Sequence, residues 1–282
     1  MRYSLLSRFQ GTLLGALLGE IYGSQSGQKS APTLGIACKI ALLGAESLIR
    51  VGKLDLEDWV RHTGIPERSL SASETAIAII PLALFFHENR SLLLKEVKSA
   101  AIHWDRSAES IEGVLAVGYA IAKSLTEKLQ PDALIPQILA EFTNSQSYAI
   151  EELARVQELL VQKSSLEMAT SKLCRGKKSE TTSIAMGFYC FLSTPEDFCL
   201  SVRRAARSGC QPEITAAIAG ALSGAYNSLS GIPLQWSLTG NDIDREQIWQ
   251  IGARLLAVWS GVYDPSKSDH FPSLSVTAPR SR

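Results

Sequence analysis

Three carboxylates, one amide and one imidazole are the side chains of this sequence best placed to do chemistry. Gln211 and Glu213 lie two residues apart in the polar loop RSGCQPEI, just ahead of a run of alanine, glycine and isoleucine. An amide and a carboxylate so spaced can turn oxygens the same way, toward a hard cation or a ligand hydroxyl. Glu20 sits inside the glycine-rich run GTLLGALLGEIYG, and Glu180 opens the stretch ETTSIAMGFYCFL. Two carboxylates at a suitable separation can cleave a glycosidic bond by dividing acid and base roles. His103, next to Trp104, has the chemistry to donate to a phosphate or stack on a base. Each of these also has a plain structural reading: a carboxylate in a first helical turn complements the dipole, and a lone histidine at a helix end is commonly a packed one. Glu46 and Glu74 read as solvated or capping groups. No P-loop, GxGxxG or nucleophile beside a base-bearing motif competes with them.

The elements that must position these residues are helices. Apolar residues recur at helical spacing through most of the chain, and alternation of period two is hard to find, so the fold class is all-α. The spacing predicts helices over Leu5–Tyr22, Thr33–Val51, Asp55–Thr63, Ser71–Glu88, Ser91–Trp104, Ser107–Lys128 and Pro131–Phe142. Further ones are predicted over Tyr148–Gln162, Glu180–Leu192, Pro195–Ser208, Pro212–Leu229 and Asp244–Ser260. Asp55 with Asp58 forms a near capping box, Pro195 and Pro212 suit a first helical turn, and Pro81 should kink its helix or divide it.

Gly11, Gly15, Gly19 and Gly23 recur every fourth residue, as do Ala216, Gly220 and Gly224. Each interior glycine costs roughly 0.5 to 1 kcal/mol relative to alanine. The i, i+4 spacing puts each set on one stripe, so close approach of another helix backbone is the expected compensation, at the centre of a tightly packed body.

The 282 residues are 45% hydrophobic and 20% charged, enough for a sizeable core. Nothing in composition divides the chain, and a single helical domain over 1–263 with a flexible polar tail over 264–282 is expected. Lys and Arg number 28, as do Asp and Glu, with no long run of one sign, so neither nucleic acid nor an anionic membrane is an expected partner. No segment approaches the roughly 20 apolar residues of a membrane span. Arg2 and Arg8 precede a short apolar run, but glycines interrupt it and no small-residue cleavage site follows. The five cysteines, Cys38, Cys174, Cys190, Cys199 and Cys210, show no CxxC pair and read as buried, reduced thiols of a cytoplasmic protein.

RFQGTLLGALLGEIYG at 8–23 and ITAAIAGALSGAYNSLSGIPLQW at 214–236 together resemble the ADP-ribosylglycohydrolase family. IALLGAESLI, IIPLALFF, SAAIHW and SETTSIAMGFYCFLSTPEDF follow in the family's order, so the resemblance covers about residues 5 to 240. It implies a compact multi-helix bundle with two magnesium ions in a cleft, hydrolysing the N- or O-glycosidic bond between ADP-ribose and an acceptor. The family's ligands come from a T-D-D-T motif and a D-x-D-T loop. Carried over, the first falls on Gly35, Ile36, Ala37 and Cys38, and the second on Gln211, Pro212, Glu213 and Ile214. Glu20 stands where the first helix of the family has aspartate, and Ile102-His103 where it has threonine and histidine.

Magnesium wants hard oxygen donors in near-octahedral array, and Gly, Ile, Ala and Cys supply none. The first expectation is therefore a non-catalytic binding or regulatory pseudoenzyme with a degenerate magnesium site and no cofactor. It would hold an ADP-ribose-like ligand or a protein partner, with His103 and Gln211 as ligand-binding candidates. The second is a hydrolase with a rearranged centre around the catalytic candidates Glu20, Glu213 and Glu180, with magnesium if such a centre forms. The third is a structural homo-oligomer whose cleft is filled by side chains.

Overall fold

The computed structural model describes residues 3–25, 34–67, 69–105, 111–143, 145, 147–174, 180–236 and 245–262. Fourteen α-helices and no strand are present among them: α1 (Leu5–Gln25), α2 (Ile36–Val51), α3 (Leu56–Thr63), α4 (Ala72–Ala78), α5 (Ile80–Phe85), α6 (Arg90–Trp104) and α7 (Ile111–Leu125) are followed by α8 (Pro131–Glu141), α9 (Tyr148–Val161), α10 (Leu166–Cys174), α11 (Thr182–Leu192), α12 (Phe198–Ala206), α13 (Pro212–Asn227) and α14 (Arg245–Trp259). The expected tail over 264–282 lies outside the described residues, as does Asp244 at the expected start of α14. No helix among the described residues is long and apolar enough to cross a membrane.

The two glycine-bearing helices pack on each other. α1 lies along α13 at the centre of the body, where α13 also meets α7, α11 and α12, and α1 meets α12 and α14. A Cβ added at Gly11 would stand 2.6 Å from the Gly224 carbonyl oxygen, and one at Gly23 would stand 2.6 Å from the Glu213 Cα. Gly15 faces Gly220, and Gly19 faces Ala216, in the same way. The helix axes approach until backbone touches backbone, which the glycines of α1, facing glycine or alanine on α13, allow. One buried hydrophobic cluster extends from Phe9 to Val258 around this seam.

Local signals set the helix ends. Asp55 accepts the Asp58 backbone N–H at 2.9 Å, and Ser71 with Glu74 completes a capping box in which Glu74 Oε2 accepts from the Ser71 N–H at 2.8 Å. Glu46 pairs with Arg254 at 3.3 Å and ties α2 to α14. The predicted helix Ser71–Glu88 is two helices, α4 and α5, because Pro81 cannot donate an N–H into a continuous ladder. Pro195 does not open a helix: α12 starts at Phe198, where Asp197 caps by accepting the Leu200 N–H at 2.8 Å. A side-chain cap that satisfies a free N–H outcompetes a proline that merely tolerates lacking one. α10 was not anticipated, because only Ala169, Leu173 and Cys174 of its nine residues are buried, a stripe too short to show periodicity.

The expectation of five reduced thiols fails for two of them. Cys174, the last residue of α10, and Cys210, ahead of α13, are joined by a disulfide with their Cα atoms 5.9 Å apart. They stand 36 positions apart in sequence, so no motif spacing announces the pair. Cys38, Cys190 and Cys199 are free.

Candidate functional site

The α1–α13 seam decides which sequence-predicted residues meet. Gly19 and Gly23 rest on the first turns of α13, so Glu20 comes up beside Glu213, close enough for the two charges to interact. From the other side the start of α2 closes on the same carboxyl. The Gly35 N–H donates to Glu20 Oε2 at 2.8 Å, and the Cys38 thiol hydrogen-bonds to it. Gly35 has no side chain to cap α2, and the carboxyl of Glu20 does that work from another helix. A Cβ at residue 35 would stand 2.5 Å from Glu20 Oε1, so the glycine makes room for the longer arm of glutamate.

Only 5% of Glu20 is exposed. Burial lifts its carboxyl above the ordinary carboxylate value, and the negative charge of Glu213 adds to the lift. The hydrogen bonds from Gly35 and Cys38 and the charge of Lys39 oppose it. Burial likewise pushes the Cys38 thiol well above its usual range, helped by the neighbouring Glu20. Such a folded-state rise means that the contribution of Glu20 to stability is full at pH below its ordinary value and is lost as pH rises through the raised one. Glu20→Gln keeps an oxygen for the Gly35 N–H and removes the buried charge. We expect a higher Tm than wild type at pH 8 and a difference that closes toward pH 4. A lower Tm at pH 8 would show that the surroundings favour the carboxylate.

Gln211 precedes α13 with φ 38°, a left-handed conformation unusual for a residue with a side chain. Its Oε1 accepts the Ser183 hydroxyl at 2.8 Å, which joins the loop to α11. Pro212 occupies the first helical turn as its missing N–H allows, and Glu213 follows, half-buried. At the family's other ligand positions Ile36 is 44% exposed, whereas Ala37, Cys38 and Ile214 are buried in the core. The structure thus brings Glu20, Gly35, Cys38 and Glu213 together, with Gln211 two residues ahead of Glu213 and held to Ser183.

Glu180 and His103 are not shown to join them. The Glu180 residue is exposed and precedes α11; its backbone carbonyl accepts from the Ser73 N–H at 3.1 Å and from the Ser73 hydroxyl at 2.5 Å, tying α4 to α11. His103 pairs with Glu67 at 3.9 Å and sets its ring edge-on to Trp104, 4.9 Å between centroids. It is a packed histidine at a helix end.

Sequence reasoning missed two contributors beside the site. Ser183 holds Gln211, and the polar run SETTS ahead of an apolar helix was the available signal. Glu152, 1% exposed, accepts the hydroxyls of Thr181 at 2.6 Å and Thr182 at 2.7 Å. Nothing in YAIEELARV distinguishes that glutamate from a solvated one.

The donor set does not fit a magnesium pair. Glu20 spends its oxygens on Gly35 and Cys38, Gln211 accepts from Ser183, and positions 35 to 38 offer no side-chain oxygen. Among the described residues no group of three or more His, Cys, Asp or Glu side chains is placed to hold a metal ion.

The all-helical body and the seam-built site define a class. The family described as ADP-ribosylglycohydrolase matches residues 1–265, and this chain belongs to the ADP-ribosylglycohydrolase family. A solved structure described as an "ADP-ribosylglycohydrolase-related protein complex" is similar with a TM-score of 0.69 and 20% identity, covering 90% of this chain and 99% of that one. At that identity the likeness shows the fold alone. No curated protein matches the chain.

Proposed function

We propose that this chain is a non-catalytic, ligand-binding or regulatory member of its family, a pseudoenzyme with a degenerate metal site. One observation carries the reading: the Glu20 carboxyl is folded onto the Gly35 N–H and the Cys38 thiol, at the positions where the family's first metal-ligating motif falls. A carboxyl engaged in capping a helix and held toward its neutral form is a poor ligand for a hard dication. Exposed Gln211 and half-buried Glu213 remain at the loop, where the Gln211 amide nitrogen donates and the Glu213 carboxylate accepts, a pair suited to the polar groups of an ADP-ribose-like ligand or of a protein partner. A cytoplasmic location belongs to this reading, with the free thiols of Cys38, Cys190 and Cys199 in its favour and the Cys174–Cys210 disulfide weighing against it.

A metal-free hydrolase is the second reading, favoured by the juxtaposition of a carboxyl lifted toward its protonated form with Glu213. Titrating the purified protein with ADP-ribose, with and without Mg²⁺, separates the two when release of ADP-ribose from a modified protein is followed alongside. We expect binding indifferent to Mg²⁺, no Mg²⁺-dependent change in Tm, and no turnover. Turnover that needs Mg²⁺ and is lost in Glu213→Gln would overturn the proposal. Turnover without metal, lost in both Glu20→Gln and Glu213→Gln, would establish the second reading instead.

A further inference from the structure

The disulfide lies at the loop that builds the site. Cys210 is the residue before Gln211, and Cys174 ends α10, so the bond ties the α12–α13 connection to a helix otherwise packed on α9 and α11. Hydrogen bonds also anchor the connection: the Gln211 carbonyl accepts the Ile214 and Thr215 N–H groups at 3.0 Å, and the Ser208 hydroxyl donates to the Ala205 carbonyl at 2.7 Å. Ser183 donates to Gln211 Oε1 at 2.8 Å, the Thr215 hydroxyl donates to the Cys210 carbonyl, and the Ser208 hydroxyl accepts the Cys210 N–H at 3.4 Å. Gly209 and Gln211, on either side of Cys210, both have positive φ. A non-glycine residue keeps such a backbone only where its surroundings over-determine it. The covalent link is the strongest of those restraints.

We propose that Cys174 and Cys210 are a reversible redox latch, whose closed form fixes the Gln211–Glu213 loop in its binding geometry and whose open form releases it. The claim that the latch governs ligand affinity rests on the binding role proposed above; the claim that it orders the loop does not. Of the three free thiols, Cys38 and Cys190 are buried at 1% and 0% exposure and Cys199 is half-buried. Burial pushes the Cys190 thiol up to about 12 and also raises that of Cys199, where Asp197 adds to the rise, so neither is favoured as a thiolate. In the cytoplasmic location proposed above a disulfide is typically of the responsive kind, and the reversibility of the bond rests on that location. Closure is an exchange with a small-molecule disulfide of the glutathione class. The two cysteine sulfurs lose two electrons and form the S–S bond, the incoming S–S bond breaks, and the two protons leave with the two released thiols. Opening is the reverse.

The whole protein is equilibrated in glutathione buffers from fully oxidised to fully reduced, and its free thiols are trapped and located by mass. Amide hydrogen exchange of residues 208–215 is then compared between the end states, with residues 11–20 of α1 as internal standard. We expect Cys174 and Cys210 to open and close together, and exchange over 208–215 to be about tenfold faster or more in the reduced form, with α1 unchanged. The double variant Cys174→Ser, Cys210→Ser should match reduced wild type and ignore the buffer; the wild-type comparison stands even if the variant does not fold. A bond that never forms, one that stays closed in fully reduced buffer, or exchange rates alike within about twofold in the two forms overturns the latch. ADP-ribose should bind the oxidised form more tightly. If exchange responds to the buffer and ADP-ribose binds neither form, the latch holds and the binding role proposed for the cleft falls.

Discussion

Gly220→Val is expected to yield no folded protein, and Gly220→Ala to lose about 3 kcal/mol or more, at the upper end of what overpacking costs. The reason is what stands opposite. A Cβ at Gly220 would overlap the Gly15 carbonyl, whose carbon would be only 2.9 Å away, and a Cβ at Gly15 would meet the Gly220 carbonyl carbon at the same 2.9 Å. Overpacked side chains can rotate away, but two helical backbones must separate along their whole length. Separation would loosen the contacts of α13 with α7, α11 and α12 as well as the seam itself. A domain of ordinary stability, on the order of 5 to 15 kcal/mol, does not survive the loss of its central packing. Gly118 in α7 is the control, because a Cβ there would make ordinary contact, with Val97 at 3.6 Å as its nearest neighbour. Gly118→Ala should gain roughly 0.5 to 1 kcal/mol from helix propensity. Thermal unfolding followed by circular dichroism reads both, and equal effects of the two alanine substitutions would refute the backbone-contact account.

The second large effect is a loss of stability in acid that traces to His87. Its ring is buried between Phe9 on α1, 5.7 Å away, and Trp259 on α14, 4.8 Å away, and its Nδ1 lies 2.7 Å from the Leu84 carbonyl oxygen. Burial disfavours the charged imidazolium and lowers its pKa from 6.5 to about 4, against the opposing pull of the Leu84 carbonyl. The unfolded chain therefore takes up a proton below about pH 6.5 that the folded chain refuses until about pH 4. The contribution is full above the ordinary value and is lost as pH falls through that window. It amounts to about 3 kcal/mol at 1.36 kcal/mol per pKa unit. Urea unfolding of wild type between pH 7 and pH 4 should show this loss on top of the carboxylate contributions, and His87→Phe should remove it. Parallel profiles for wild type and variant would show that His87 is protonated in the folded state as readily as in the unfolded one.

These two effects mark where sequence reading reaches. The glycine stripes were legible because their cost at fixed spacing demands a compensating contact, and the structure supplies it. That the stripes compensate each other was not legible, since spacing says which face is bare and not what lies against it. The loss of metal donors at positions 35 to 38 was legible from residue types alone. Glu20 was a candidate for chemistry by its charge; its engagement with Gly35 and Cys38 depends on where the start of α2 closes on α1. Glu180 and His103 carried the same promise; the Glu180 backbone carbonyl meets Ser73, and the His103 ring lies against Trp104 beside Glu67.

Sequence by itself determined the all-helical class, the cap at Asp55, an interruption at Pro81, the family, and the absence of hard donors at the first ligand motif. Those features depend on local backbone chemistry and on side-chain identity, which are written residue by residue. Only the tertiary structure decided that α1 and α13 share one seam, that Cys174 meets Cys210, that Ser183 holds Gln211, and that Glu20 caps α2 beside Glu213. Each of these joins residues far apart in the chain, and such contacts follow from how helices pack, which no single segment encodes.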